Sequence, residues 1–313
     1  MGVFSEMRGL LGGLFGRREQ PAQVDFPLEL VQHPADISTV GIDGYEDLVA
    51  AARDVEARGE DSPYFDTLRE AAHDGLAFDV PIVMGFDDYP PEDRILRVQV
   101  VGFQHDVIQR DGSKAAVTCL ARHAMPVAYA MNEERTNEGG WQSSRLRRFH
   151  TRFLMGLFPK SLRQAIRPVR KATAVGMVAK GKPDMVVTTD SLWLPSASEL
   201  LGTSLKGSGA LWARSDWARS GLTAEGEQLP YFRQLGVSWS SWDKGSQQAA
   251  AALAGRNLTN GGALPLDTAE GELLWLRSSC LANDHSFLCI DSHGRACEGL
   301  ADAKLSLCVG FAV

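Results

Sequence analysis

Between residues 145 and 182 the sequence places eleven basic side chains (Arg145, Arg147, Arg148, Arg152, Lys160, Arg163, Arg167, Arg170, Lys171, Lys180, Lys182) and no acidic one. The whole chain carries 32 Lys and Arg against 39 Asp and Glu, so taking the +11 block from a net −7 leaves −18 for everything else. Residues 1–93 alone hold 20 acidic and six basic side chains. A fold that accommodates this partition brings the basic block against acidic surface, on its own chain or on a neighbouring copy. Nucleic acid is not expected as its partner. Phe149, Phe153 and Phe158 interleave with Leu146, Leu154 and Leu157 as one face of an amphipathic helix, not as a base-stacking platform.

With 313 residues and 44% hydrophobic composition the chain has ample apolar surface for a core. Its five cysteines (Cys119, Cys280, Cys289, Cys297, Cys308) are odd in number and include no CxxC pair, which favours reduced, buried thiols over a disulfide framework. Their spacings do not fit the short ligand pairs of a structural zinc site, and neither metal nor cofactor is expected. No apolar run reaches the roughly 18 residues that span a bilayer, so no transmembrane segment is expected. The start, MGVFSEMRGLLGGLFGRREQ, lacks a small-residue cleavage site and does not read as a signal peptide. Val3, Phe4, Met7, Leu10, Leu11, Leu14 and Phe15 recur at helical spacing, which makes residues 1–20 an amphipathic helix for docking on the rest of the chain or on a protein partner.

Residues 44–58 and 62–75 read as helices, each closed by a glycine, within a helical N-terminal region at 21–77. Residues 78–86 and 94–104 alternate as strands, and Asp111-Gly112 turns the chain back through 115–120. Helices are expected at 143–155 and 159–171, short strands at 185–189 and 192–194, and further strands at 273–277, 286–290 and 307–313. From about 202 to 271 the sequence is loop-like. Trp193, Trp212, Trp217, Trp239, Trp242 and Trp275 fall in or beside it, read as aromatic anchors in preference to a sugar-stacking platform. His105-Asp106 is a weak proton-transfer or metal candidate, because neighbouring side chains on extended backbone diverge. No GxSxG, HExxH, P-loop or GxGxxG pattern occurs, and no enzyme is expected.

Several phrases in order nonetheless carry a family likeness. They are Gly102-Phe103-Gln104-His105-Asp106, Met131-Asn132 with Thr136-Asn137-Glu138-Gly139-Gly140-Trp141, Ser144-Arg145-Leu146-Arg147, the Leu157-Phe158-Pro159 to Lys171-Ala172-Thr173 stretch, Leu192-Trp193-Leu194-Pro195-Ser196 with Glu199-Leu200, Leu274-Trp275-Leu276-Arg277-Ser278, and Val309-Gly310-Phe311-Ala312-Val313. Over about residues 78–313 the chain resembles the domain of unknown function 6273 family of gut bacteria and their phages and prophages. The resemblance implies an α+β, C-type-lectin-like domain at 78–313 whose terminal strands pair and whose long irregular loops carry a ligand surface. Some phage relatives diversify the segment between the WLRS-like and GF-like phrases. None of the calcium-ligand phrases of sugar-binding lectins is present.

The function expected on this basis is a non-enzymatic binding or assembly protein, a phage or prophage structural component presenting a ligand surface to a host receptor or glycan. That surface is placed on residues 279–308, with Asn283, Asp284, His285, Phe287, Asp291, His293 and Arg295 as ligand contacts over a floor of Trp275, Ile290 and Phe311. Partner contacts or self-assembly are assigned to residues 1–20 and 145–182, and the location to a virion or the cytoplasm. The alternatives are a formylglycine-generating-type enzyme, for which Cys289 and Cys297 are the thiol candidates by position, and an intracellular docking module using the basic stretch.

Overall fold

The glycines that close the two N-terminal helices in sequence also close them in space. The structure, a computed structural model, describes residues 41–86, 89–125, 128–175, 184–203, 221–237, 273–291 and 296–313. Helix α1 (Tyr45–Arg58) stops at Gly59, whose N–H returns to the Val55 carbonyl. Helix α2 (Phe65–Asp74) stops at Gly75 in the left-handed region, at φ 68°. Leu48, Val49, Ala52 and Val55 on α1 and Leu68, Ala71 and Ala72 on α2 are buried at the i, i+3, i+4 spacing that gives each helix one apolar face. Those faces pack into the same hydrophobic core as the sheets.

The strands are β1 (Ala77–Phe86), β2 (Tyr89–Phe103), β3 (Val117–Ala121), β4 (Ala128–Ala130), β5 (Val169–Val175), β6 (Asp184–Asp190), β7 (Leu273–Ser279), β8 (Ser286–Asp291), β9 (Ala296–Leu300), β10 (Lys304–Ser306) and β11 (Gly310–Ala312). They form a four-stranded sheet in the order β1-β2-β3-β11, a five-stranded sheet in the order β4-β10-β7-β8-β9, and the β5-β6 hairpin. The architecture is α+β. The last strand, β11, runs antiparallel to β3, with Gly310 opposite Leu120 and Ala312 opposite Thr118. An isolated bridge between Trp193 and Gly310 ties the loop after β6 to that same strand.

The stretch 159–171, expected as one helix, is helical only from Lys160 to Ala165 and becomes strand β5 at Val169. Pro168 accounts for the break: it has no N–H to give a helix and drives the residue before it into extended backbone. Strands β4, β9 and β10 had no counterpart in the sequence reading, since three to five residues carry little periodicity.

Four of the nine described cations of the basic block pair with described acids of the same chain. Arg145 pairs with Glu133 at 2.9 Å, Arg147 with Asp190 at 2.6 Å, Arg167 with Glu56, and Lys171 with Asp106 and Glu199 at 2.6 and 2.9 Å. Lys180 and Lys182, the N-terminal segment 1–20, and Trp212, Trp217, Trp239 and Trp242 lie outside the described residues. The described tryptophans are anchors. The indole N–H of Trp141 donates to Asp190 and that of Trp275 to the Tyr129 carbonyl, while Trp193 lies under the Lys171 ammonium at 4.0 Å.

Trp275 also explains a glycine. Its ring crosses β9 so closely that a Cβ on Gly299 would stand 2.5 Å from the indole. Gly299→Ala therefore overpacks the site, with an expected loss of about 1–3 kcal/mol in urea unfolding. A variant as stable as the parent would show that the indole is free to move.

Candidate functional site

The ligand residues placed on 279–308 do not share one environment. Asn283, Asp284 and His285 form the turn between β7 and β8, with Asp284 exposed and its two neighbours partly so. Phe287 is a correction: it is 0% exposed and packs edge-on against Trp275, ring centroids 6.4 Å apart. Strand β8 starts at Ser286 and every residue from there to Ile290 is buried, so both of its faces are covered and the Phe287 ring is enclosed in the core. Asp291 ends β8, and His293 and Arg295 lie outside the described residues. Of the expected floor, Trp275, Ile290 and Phe311 are all buried.

The turn is held by a residue from a distant loop. Buried Asn137 donates its side-chain amide to the carbonyls of Cys280, Asn283 and Ser286, at 2.9, 2.9 and 2.8 Å. Its backbone N–H donates to the Asp284 carbonyl. A third loop joins the cluster through Ala301 N–H to the His285 carbonyl, Asn132 N–H to the Ala301 carbonyl, and an Arg135–Asp302 ion pair at 3.1 Å. Segments 131–139, 280–286 and 300–303 thus make one loop platform at an end of the five-stranded sheet. Its exposed side chains include the acids Glu133, Glu134, Glu138 and Asp284, and the exposed Glu298 of β9 lies beside them against Asn283. The Asp284 carboxylate accepts from His285 Nδ1 at 2.9 Å, which holds it below its ordinary pKa.

Behind the platform lies a buried charge network that sequence reasoning did not foresee. Lys171, 2% exposed, bridges Asp106 and Glu199, and Glu199 also takes Arg277, 0% exposed. Arg277 Nη1 donates to the Leu194 carbonyl at 3.0 Å and Nη2 to the Glu225 carbonyl at 3.2 Å. Glu199 is placed by a capping box, its backbone N–H on Ser196 Oγ at 3.1 Å and its carboxylate on the Ser196 N–H at 3.0 Å. The Glu225 carboxylate accepts from Ala174 N–H at 3.1 Å and from Ser278 Oγ. Burial disfavours the Glu199 carboxylate, but Arg277 and Lys171 outweigh it and hold the group well below the carboxylate range. At Glu225 burial wins and pushes the pKa up to about 7. A smaller buried cluster sets Asp190 between Arg147, Trp141 and Thr188.

The carboxylates and cations pair with one another, while Arg277 Nε has no hydrogen-bond partner among the described residues. Through the Leu194 and Glu225 carbonyls and the Ala174 and Ser196 N–H groups the arrangement clasps backbone segments. Among the described residues no three His, Cys, Asp or Glu converge as metal ligands would. A separate open cleft of about 700 Å³ lies between α1 and the loop before β3, lined by Arg53, Glu56, Gln104, Lys114 and Arg167 among others. Gln104 there adopts φ 45°, the one non-glycine residue with positive φ among those described. His105 and Asp106 diverge, the first partly exposed and the second turned into the network, so they form no dyad.

The family model of a domain of unknown function (DUF6273) matches residues 115–307. No curated protein matches the chain, and no solved structure does.

Proposed function

The chain belongs to the domain of unknown function (DUF6273) family, and on that premise we propose that it is a non-enzymatic binding protein of a phage or prophage particle, presenting the loop platform at 131–139, 280–286 and 300–303 to a glycan or receptor of the host surface. The observation that carries this reading is the Asn137 amide spanning three carbonyls of the β7–β8 turn. Such bracing fixes a loop before any ligand arrives, which lowers the ordering cost of binding. Strand β11 returns to the sheet of β1, β2 and β3, so the two ends of the domain share one sheet, which supports a C-type-lectin-like arrangement.

Asp284 and His285 are the side chains to test. The Asp284→Ala/His285→Ala pair leaves every backbone bond of the platform in place, so its unfolding midpoint should match the parent. Its retention on a panel of immobilised host surface polysaccharides should fall at least tenfold. Equal retention of parent and variant would remove the platform from the binding function, and absence of the protein from purified particles by mass spectrometry would remove the virion role.

A formylglycine-generating-type enzyme draws on one specific observation, the contact between Cys289 and Cys297. That chemistry requires thiols open to a bound peptide. Cys289 is 0% exposed on a central strand, and the open cleft lies elsewhere.

A further inference from the structure

We propose that Cys289 and Cys297 form a reversible disulfide site that staples the edge strand β9 to β8. The two residues stand directly opposite in the antiparallel ladder, and their Sγ atoms are 2.8 Å apart. Opposed positions on antiparallel strands meet the Cα and Cβ separations a disulfide requires, so closing the bond needs side-chain rotation and no strand movement. The pair is also distinct among the five cysteines. Cys119 and Cys308 are enclosed in the core, where burial raises their thiols far above the ordinary range, and the Cys308 Sγ sits against the Ala121 carbonyl. Cys280 is pushed up to about 12 by burial and lies against the Asn283 amide. Cys297 is half-buried, which leaves it reachable from solvent, while Cys289 waits beneath it.

That asymmetry assigns the roles in exchange with a low-molecular-weight disulfide such as oxidised glutathione. The Cys297 thiolate attacks one reagent sulfur, the reagent S–S bond breaks, and one thiol leaves. The Cys289 sulfur then displaces the second reagent thiol from the mixed disulfide, forming the Cys289–Cys297 bond. The two protein thiols are oxidised by two electrons, the reagent is reduced to two thiols, and the two protein protons end on them.

The bond would fix the strand that carries Glu298, whose carboxylate accepts from the Asn283 amide of the platform at 2.9 Å. Among the described residues β9 pairs with β8 alone, and a strand at a sheet edge is where such a staple has the most to hold. The inference concerns the thiols alone and stands whether or not the platform binds a glycan.

The test uses the full chain, incubated with oxidised glutathione, unfolded in N-ethylmaleimide and mapped by peptide mass spectrometry. The expected result is a peptide linking Cys289 to Cys297, with two of the five thiols protected from alkylation. Tm should rise by about 5 °C, as expected for a short closed loop, and fall back with dithiothreitol. The Cys289→Ser variant, which lacks the resolving sulfur, should retain glutathione on Cys297. Alkylation of all five thiols, stable glutathione on Cys297 of the parent, or a bond to another cysteine or another chain would each overturn the proposal. A linked peptide without a rise in Tm would remove the stapling role. Should the serine variant fail to fold, the mapping of the parent protein decides alone.

Discussion

Replacing Arg277 with Met will cost about 3–5 kcal/mol of folding stability, the range measured when one partner of a buried ion pair is removed. Methionine fills much of the space but leaves Glu199 and Asp106, both buried, sharing Lys171 as their remaining cation. It also leaves the Leu194 and Glu225 carbonyls without the guanidinium donors they accept from, and unpaired buried acceptors add to the loss. Arg277→Lys should fall between the parent and Met. It restores the charge, but a single ammonium cannot span Glu199 and two carbonyls as the planar fork does. Urea unfolding of the three proteins, with equal m-values, checks the order. A Met variant within about 1 kcal/mol of the parent would show that the network contributes little net stability, as well-packed apolar replacements of buried ion pairs have elsewhere.

The network also shows what the sequence does and does not convey. Helix ends are legible because Gly59 and Gly75 act locally, the β1–β2 pattern because alternating residues define a face, and β7–β8 because short apolar runs mark strands buried on both faces. The four-residue stretch Ser196-Ala197-Ser198-Glu199 has the local pattern of a capping box. What could not be read is that the capping glutamate doubles as the counter-ion of Arg277, 78 residues later. Nothing local to Leu274-Trp275-Leu276-Arg277 distinguishes a buried guanidinium from one at a strand edge. The family phrases make sense only in three dimensions: Asn137, Trp141, Arg147, Lys171, Glu199 and Arg277 each reach a partner on a distant segment. Phe287 was misplaced for the opposite reason. A strand was expected at 286–290, but the ligand surface that the resemblance implies was laid across it, and every residue of that strand from Ser286 to Ile290 is buried.

Glu225 gives the network a dependence on pH that a single substitution should erase. Burial raises its folded pKa from 4.5 to about 7, against the pull of Arg277, Ser278 and the Ala174 N–H, with Glu199 adding to the rise. Between these two values the unfolded chain has released a proton that the folded chain keeps, so the folded state binds more protons and stability falls as pH rises. The fall runs from pH 4.5 to about 7 and levels off above it, amounting to about 3 kcal/mol at 1.36 kcal/mol per unit. Glu199 works in reverse: its depressed pKa contributes stability above 4.5 that is lost as pH drops further. His105, kept neutral by burial, costs stability below its ordinary 6.5, where the unfolded chain takes up a proton. Both contributions are common to parent and variant, so the difference between the two isolates Glu225. Glu225→Gln preserves the acceptor for Ala174 and can donate to Ser278 Oγ, while removing the charge. The parent should be close to its variant near pH 5 and fall behind it by about 3 kcal/mol at pH 8, measured by urea unfolding at unit intervals. Parallel profiles across that range would mean that Glu225 has the same proton affinity folded and unfolded, and that its carboxylate stands ionised between Arg277 and Ser278 at neutral pH.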